Sequence, residues 1–287
     1  MIHASVDAFL AAARPALAKG PVAMVLVEDL VEVDSTLRHL IAAGFRTVLA
    51  FAPPELTLPP DLEAVHLIRH PTRAEDALLD AVNPVLDAAP TTTWFHYCFN
   101  AEFLFHPFRE TRNVRELIAF HAEERRDAML GYVVDLYAAD LMTHPDAVDM
   151  AAPLMDRSGY YALTRTGADG QPKARQYDFF GGIRWRFEEH IPKDRRRIDR
   201  VALFRAQPGL ALRPGHTFNI EEYNTYACPW HHNLTAAIAS FRTAKALKAN
   251  PGSTFDIPTF RWHNSVPFLW HSQQLMDLGL MEPGQWF

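Results

Sequence analysis

Cysteine is scarce in this chain: Cys98 and Cys228 are the only two among 287 residues. Two cysteines cannot build a disulfide framework, and neither lies in a Cys-x-x-Cys pair, so they carry no zinc signal. Cys98 sits inside an apolar stretch and reads as a small core residue. Long hydrophobic runs are missing too, since none approaches the roughly 18–20 apolar residues of a membrane span. The opening residues, Met1-Ile2-His3-Ala4-Ser5-Val6-Asp7, show no basic leader before an apolar core. No signal peptide is expected there, and the expected location is cytoplasmic. Basic charge is not in excess: a formal net charge of −6 at pH 7 gives no argument for nucleic acid or an anionic membrane. Contact with a membrane surface stays open. Several signatures are also absent. Without Gly-x-x-x-x-Gly-Lys-Ser/Thr or Gly-x-Gly-x-x-Gly, a P-loop NTPase and a simple dinucleotide binder lose support. Gly-x-Ser-x-Gly is missing, which counts against an α/β-hydrolase, and His-Glu-x-x-His is absent as well.

What is present is ordinary globular material, 48% hydrophobic and 22% charged. The length suits one large α/β domain or two modest ones. Val6 to Leu17 has helical spacing and should end before Gly20. Pro21 to Val27 is a continuous apolar run, the pattern of a strand buried on both faces. Asp34 or Ser35 can cap a helix through about Ala43, stopped by Gly44. Phe45 to Phe51 and Glu63 to His70 read as further strands. Arg73 to Leu86 reads as a helix whose last turn Pro84 ends or kinks. Trp94 to Phe99 is an aromatic strand that breaks at Asn100-Ala101-Glu102 and resumes as Phe103-Leu104-Phe105. Asn113 to Arg126 carries a capping-box signature in Asn113 and Glu116. Gly131 to Tyr137 is another strand, interrupted by Asp135. Strands alternating with helices argue a βαβ series and a mostly parallel, Rossmann-type sheet.

The texture changes near residue 145, giving a first half over 1–145 and a more irregular second half over 146–287 of the same domain. Short aromatic strands, Tyr160 to Thr164 and Tyr177 to Phe180, flank a turn at Thr166 to Pro172. Lys193 to Arg197 is a charge run, read as a solvated loop, with diphosphate contact as the minority reading. Ile198 to Phe204 reads as a strand. Leu234 to Leu247 reads as a helix with the stripe Leu234, Ala237, Ile238, Phe241, Ala244 and Leu247. The tail, with Trp262, Phe268, Trp270, Trp286 and Phe287, should pack.

Parallel strands joined by crossovers have their carboxyl ends on one sheet edge. Glu28-Asp29, ending the first strand, and Asn100-x-Glu102 should therefore face one crevice. Carboxylates there can accept hydrogen bonds from a nucleotide or sit near a metal; strand ends and helix starts are also commonly acidic for structural reasons. A polar pair that interrupts a hydrophobic strand is costly unless bonded to something. Asn100 can offer a carbonyl and Glu102 a carboxylate to a hard cation. A third group is Gly215-His216 with His231 and His232. If Asn233 caps a helix starting at Leu234, the histidine pair lies at its N-terminus, where N–H groups favour anions. The adjacent pair has no specific zinc spacing, and one of the two often simply packs.

Three of these segments resemble the family 2 type glycosyltransferases of the GT-A fold. Val25-Leu26-Val27-Glu28-Asp29 and the helix to Gly44-Phe45 look like the family's opening strand and helix. Thr93-Trp94 through Glu102-Phe103-Leu104 looks like its Trp, apolar strand, Asp-x-Asp-Glu-Phe-Leu segment. Val201 to Arg205, followed by Gly215-His216 and the His231-His232 pair, looks like its closing segment. The likeness is strongest over residues 22–140, looser to about 250, and does not include the tail. It implies transfer of a sugar from a nucleotide-sugar donor to a saccharide or other hydroxyl acceptor, usually with Mn²⁺ or Mg²⁺ on the diphosphate. By position it implies that Asp29 touches the nucleotide and that His216 or His232 lies near the metal or diphosphate. The two family aspartates fall on Phe99 and Ala101, leaving Glu102 as the acidic position kept. The resulting expectations are nucleotide contacts from Glu28, Asp29, Asn100 and His231, metal contacts from Glu102, His216 and His232, and Asp135 as catalytic base. A metal-independent transferase and a relocated metal site are both consistent with the missing aspartates. The alternatives are a non-catalytic nucleotide- or carbohydrate-binding protein on the same fold and, behind it, a metal hydrolase using the histidines with Glu221 and Glu222.

Overall fold

Apolar runs too short to span a helix, with side chains covered on both faces, become the strands of a parallel sheet. The computed structural model describes residues 1–59, 61, 62, 64–226 and 233–286; Cys228, His231, His232 and Phe287 lie outside these. In chain order come β1 (Ile2–His3), α1 (Val6–Ala13), β2 (Val22–Leu26), α2 (Val33–Ala43), β3 (Thr47–Ala52) and β4 (Val65–Arg69). Then follow α3 (Ala77–Ala88), β5 (Trp94–Phe99), β6 (Glu102–Phe105), α4 (Val114–Glu123), β7 (Ala128–Tyr137) and β8 (Leu154–Asp156). Next are β9 (Tyr161–Thr166), β10 (Pro172–Phe180), α5 (Gly182–Arg186), β11 (Asp199–Arg205), β12 (Leu212–Arg213) and β13 (Thr217–Phe218). The last are β14 (Ala236–Ser240), α6 (Arg242–Ala249), α7 (Pro251–Thr254), β15 (Ser265–Pro267) and α8 (Ser272–Asp277). The protein is mixed α/β with a mostly parallel central sheet flanked by helices. No described helix is long and apolar enough to cross a membrane.

The chain divides into two compact units. The first takes Met1–Leu104, Thr111–Met129 and Val201–Asn224, and the second takes Phe105–Glu110, Leu130–Arg200 and Thr225–Phe287. In the first unit β3, β4 and β1 extend in that order from one side of β2, β5 pairs on the other side, and all are parallel. β11 adds antiparallel to β5. The chain winds outward from β2 and then returns to its opposite flank. The direction of winding thus reverses between β2 and β5, the place where ligands collect outside the strands' carboxyl ends.

The helices of this unit follow the expected pattern with local differences. α2 starts at Val33, ahead of the expected caps, after Glu32 in a left-handed conformation; Asp34 instead pairs with Arg38 at 2.8 Å. Gly44, at φ 102°, closes it by donating to the carbonyls of Leu40 and Ile41. α3 starts at Ala77 and runs past Pro84 to Ala88. Buried Ala77, Ala81, Val82, Val85 and Leu86 lie on both sides of the proline. Their burial, about 1.5–3 kcal/mol for each large side chain, outweighs the roughly 3 kcal/mol that an interior proline costs. The Asn113–Glu116 capping box of α4 forms as the spacing predicts.

In the second unit β7 pairs parallel with β14 and antiparallel with β8, and β15 pairs antiparallel with β8. β9 and β10 form a hairpin around the turn seen in the sequence. The expected helix from Leu234 to Leu247 is not one element. Ala236–Ser240 is β14, matched residue by residue to Gly131 through Asp135, and α6 begins only at Arg242. Every residue of that strand is buried, so it has no polar face, and periodicity cannot separate a buried strand from a buried helix. This removes the helix N-terminus at which His231 and His232 were expected, since Asn233 leads toward a strand. The charge run is solvated at Lys193, Asp194 and Arg195, whereas its last two arginines are paired. Arg196 bonds Glu188 at 2.9 Å, and Arg197 reaches Asp178 and Asp199 at 3.2 and 3.3 Å. In the tail, Phe268 and Trp286 are buried, and Trp262 donates its indole N–H to Asp156 at 2.8 Å.

Candidate functional site

At the carboxyl end of β5 the backbone turns sharply, and the polar break seen in the sequence supplies the bonds for that turn. Asn100 is fully buried. Its Oδ1 accepts the N–H of Glu28 at 2.9 Å, and its Nδ2 donates to Asp29 Oδ1 at 2.6 Å and to the Val31 carbonyl at 2.8 Å. One side chain therefore clasps the segment that follows β2 to the end of β5, satisfying groups whose isolation would cost about 1–3 kcal/mol each. Asp29 Oδ1 also accepts from the N–H of Val31 at 2.9 Å, which closes an Asx turn. Glu28 and Asp29 are half-buried, whereas Asn100 and Glu102 have no exposed surface. Asn100 thus fixes the Asp29 carboxylate and the Glu28 backbone at the end of the first strand.

Ala101 sits at φ 60°, and its N–H donates to Thr36 Oγ1 at 2.9 Å. Glu102 Oε2 accepts the N–H of Phe99 at 2.9 Å. One oxygen of this carboxylate braces the turn it closes.

His216 reaches the same strand from elsewhere in the sequence. Pro214, Gly215 and His216 form the loop of the β12–β13 hairpin, with Gly215 and His216 at φ 74° and 61°. Asn83 of α3 anchors that hairpin through two bonds to the backbone of Leu212, at 2.8 and 3.1 Å. The imidazole lies flat on Tyr97, with centroids 5.8 Å apart and planes 12° apart, and Tyr97 Oη meets His216 Nδ1 at 3.0 Å. The Phe99 ring stands edge-on to it at 6.3 Å. Glu28, Asp29, Asn100, Glu102 and His216 therefore all gather on the carboxyl half of β5 and its turn.

Asp135 belongs to the second unit. It is 1% exposed on β7, and Arg184 Nε approaches its Oδ1 at 3.2 Å. Burial pushes its carboxyl above the ordinary range, and the Arg184 guanidinium opposes that shift. Gly182, at φ 63°, makes the approach feasible, because a Cβ there would sit 3.2 Å from Asp135 Oδ2. Nearby on the same unit is a cluster that the sequence did not suggest. Asp156, 1% exposed, accepts from Arg186 at 2.8 and 3.1 Å, from the Trp262 indole, and from the Tyr137 hydroxyl. The Arg186 guanidinium also lies over the Trp262 ring at 4.7 Å. Its partners are spread over more than 100 residues, so no local motif could announce it.

Among the described residues no three His, Cys, Asp or Glu side chains converge as metal donors. Phe99 and Ala101 supply no side-chain oxygen ligand, and buried Glu102 gives one oxygen to the Phe99 N–H. This described donor set does not fit a hard divalent cation, which wants six or more oxygens for Ca²⁺ or an octahedral shell for Mg²⁺. His231 and His232 lie outside the described residues. A scan of protein-family models finds no match for the chain, and a search of curated proteins finds none either.

Proposed function

We propose that this chain is a glycosyltransferase of GT-A type, which holds a nucleotide-sugar at the carboxyl ends of β2 and β5 and passes the sugar to an acceptor hydroxyl. The observation that carries the reading is the Asn100 clasp. It presents Asp29 at the switch point of a doubly wound parallel sheet, where a fixed carboxylate suits the hydroxyls of a ribose. The strand sequence from β4 through β3 and β2 to β5, with antiparallel β11 beyond, supports a nucleotide-binding half. His216, parallel to Tyr97 and bonded to its hydroxyl, is the described imidazole at this strand end and the candidate to meet a diphosphate.

A second reading rests on one observation of its own. Phe99, Ala101 and the buried Glu102 leave the turn without exposed carboxylates, which favours a protein that binds the nucleotide or sugar without turnover. Thermal unfolding of the purified chain with a panel of nucleotide-sugars, with and without Mn²⁺, tests both readings. A ligand that binds the native state raises the midpoint by mass action. No shift with any donor removes both, and release of nucleoside diphosphate on adding acceptors separates the first from the second.

A further inference from the structure

The second unit carries a pocket of about 280 Å³, distinct from the residues discussed above, lined by Tyr132, Tyr160, Tyr161, Phe179, Tyr226 and Glu282 among others. Its rings are held by specific contacts. Tyr132, Phe179 and Tyr226 have centroids 4.8 to 6.4 Å apart and planes inclined by 44 to 57°, so they meet as sloping walls and not as a parallel stack. Tyr132 Oη donates to Tyr226 Oη at 2.5 Å. Tyr160 donates its hydroxyl to the Asp156 carbonyl at 2.9 Å. Its ring lies against Gly181, where any Cβ would fall 2.3 Å from a ring carbon. Glycine is therefore required to seat that wall. Tyr161, on the outer side, stacks across the hairpin on Phe180 at 5.3 Å.

Among the described lining residues the one charged side chain is that of Glu282. Glu282 is exposed at the rim, and its backbone is pinned on both sides by Thr235 at 2.9 and 3.0 Å. Among the described residues no lysine or arginine lines the pocket. The nearby cations Arg165 and Arg197 are engaged by Asp178 and Asp199. Burial raises the Tyr132 and Tyr226 hydroxyls above their ordinary pKa, and the Glu282 charge adds to both shifts. Aromatic faces attract a cation through their quadrupoles, a carboxylate adds direct charge, and both repel phosphate.

We propose that this pocket binds an organic ammonium ion, an amine on a small CH-rich body, with the rings enclosing the C–H or N-methyl groups and Glu282 neutralising the charge. The proposal does not depend on nucleotide-sugar binding in the first unit. Calorimetric titration of the full chain, without nucleotide, tests it with choline, glucosamine, glucose and inorganic phosphate. Saturable binding of choline or glucosamine, with no binding of glucose or phosphate, is the expected result, and the preferred amine tells a quaternary from a primary ammonium. Glu282→Gln and Tyr161→Ala alter exposed positions and should keep the circular dichroism spectrum while weakening the amine by about tenfold. The proposal is overturned if neither amine binds, if glucose binds as tightly as glucosamine, or if both folded variants keep full affinity.

Discussion

Asn100 shows how much one buried amide can fix. Its carbonyl and both amide hydrogens are spent on Glu28, Asp29 and Val31, three neighbours in sequence but more than 60 residues away. Asn100→Ala should lower stability by about 2–4 kcal/mol, since two or more of those groups lose a partner in a place water cannot reach. Asn100→Asp should cost at least as much, because a carboxylate cannot donate to Asp29. Urea denaturation at neutral pH measures both, and a loss under 1 kcal/mol for the alanine variant would mean the clasp is not holding the turn. Gly182→Ala tests a second close fit. A left-handed alanine costs roughly 1–2 kcal/mol, and its Cβ would also press on Asp135 Oδ2 at 3.2 Å. The expected loss exceeds 1 kcal/mol in the same assay. The polar break at Asn100 was legible in the sequence as something needing a partner. That its partners would exhaust the amide, and that Glu102 would give an oxygen to the Phe99 N–H, was not, because both depend on the left-handed backbone at Ala101.

At the level of elements, β1 is tied to the sheet edge by histidines. His3 Nε2 meets His66 Nδ1 of β4 at 3.1 Å, their rings stack at 5.3 Å, and Phe9 of α1 packs edge-on to both. The terminal ammonium of Met1 donates to the Val65 carbonyl at 3.0 Å. Burial, then the nearby His3 and terminal charges, hold the His66 imidazole down to about 4. Burial likewise lowers His121 to about 4, although its bond to the Ala128 carbonyl opposes this. The fold therefore prefers both rings neutral. Their contribution is complete above the unfolded value near 6.5 and is lost as pH falls from there toward 4. His66→Phe should flatten the fall in unfolding free energy between pH 7 and 5 relative to the parent, measured by urea titration at each pH. An unchanged slope would remove His66 from the explanation.

The elements themselves were readable where one face was polar: α4 with its capping box, α2 stopped at Gly44, and the strand runs of the first unit. Reading failed at Leu234 to Leu247, where small apolar residues buried on all sides carry no period and a strand and helix merged into one stripe. It also expected Pro84 to end or kink the last turn of α3, which runs on to Ala88 because the compensation comes from its buried face and not from local propensity.

For the whole molecule, the two units differ in how they could be read. The first is built from alternating strands and helices, so its parallel sheet and the meeting of Glu28-Asp29 with Asn100 followed from the chain's order. The second is held by contacts distant in sequence, such as Asp156 with Arg186 and Trp262, and its tyrosine pocket emerges only once β7 and the β9–β10 hairpin are folded. The central functional claim belongs to the first unit: Asp29, fixed by Asn100, receives a nucleotide-sugar. Asp29→Asn tests it cleanly, because an amide oxygen can still accept from Val31 and Asn100 while the negative charge is gone. Calorimetric titration of the tightest nucleotide-sugar into both proteins should show binding to the parent and an affinity about tenfold or more weaker in a variant that remains folded. Equal affinity in the two proteins, or no binding of any nucleotide-sugar to the parent, would contradict the account.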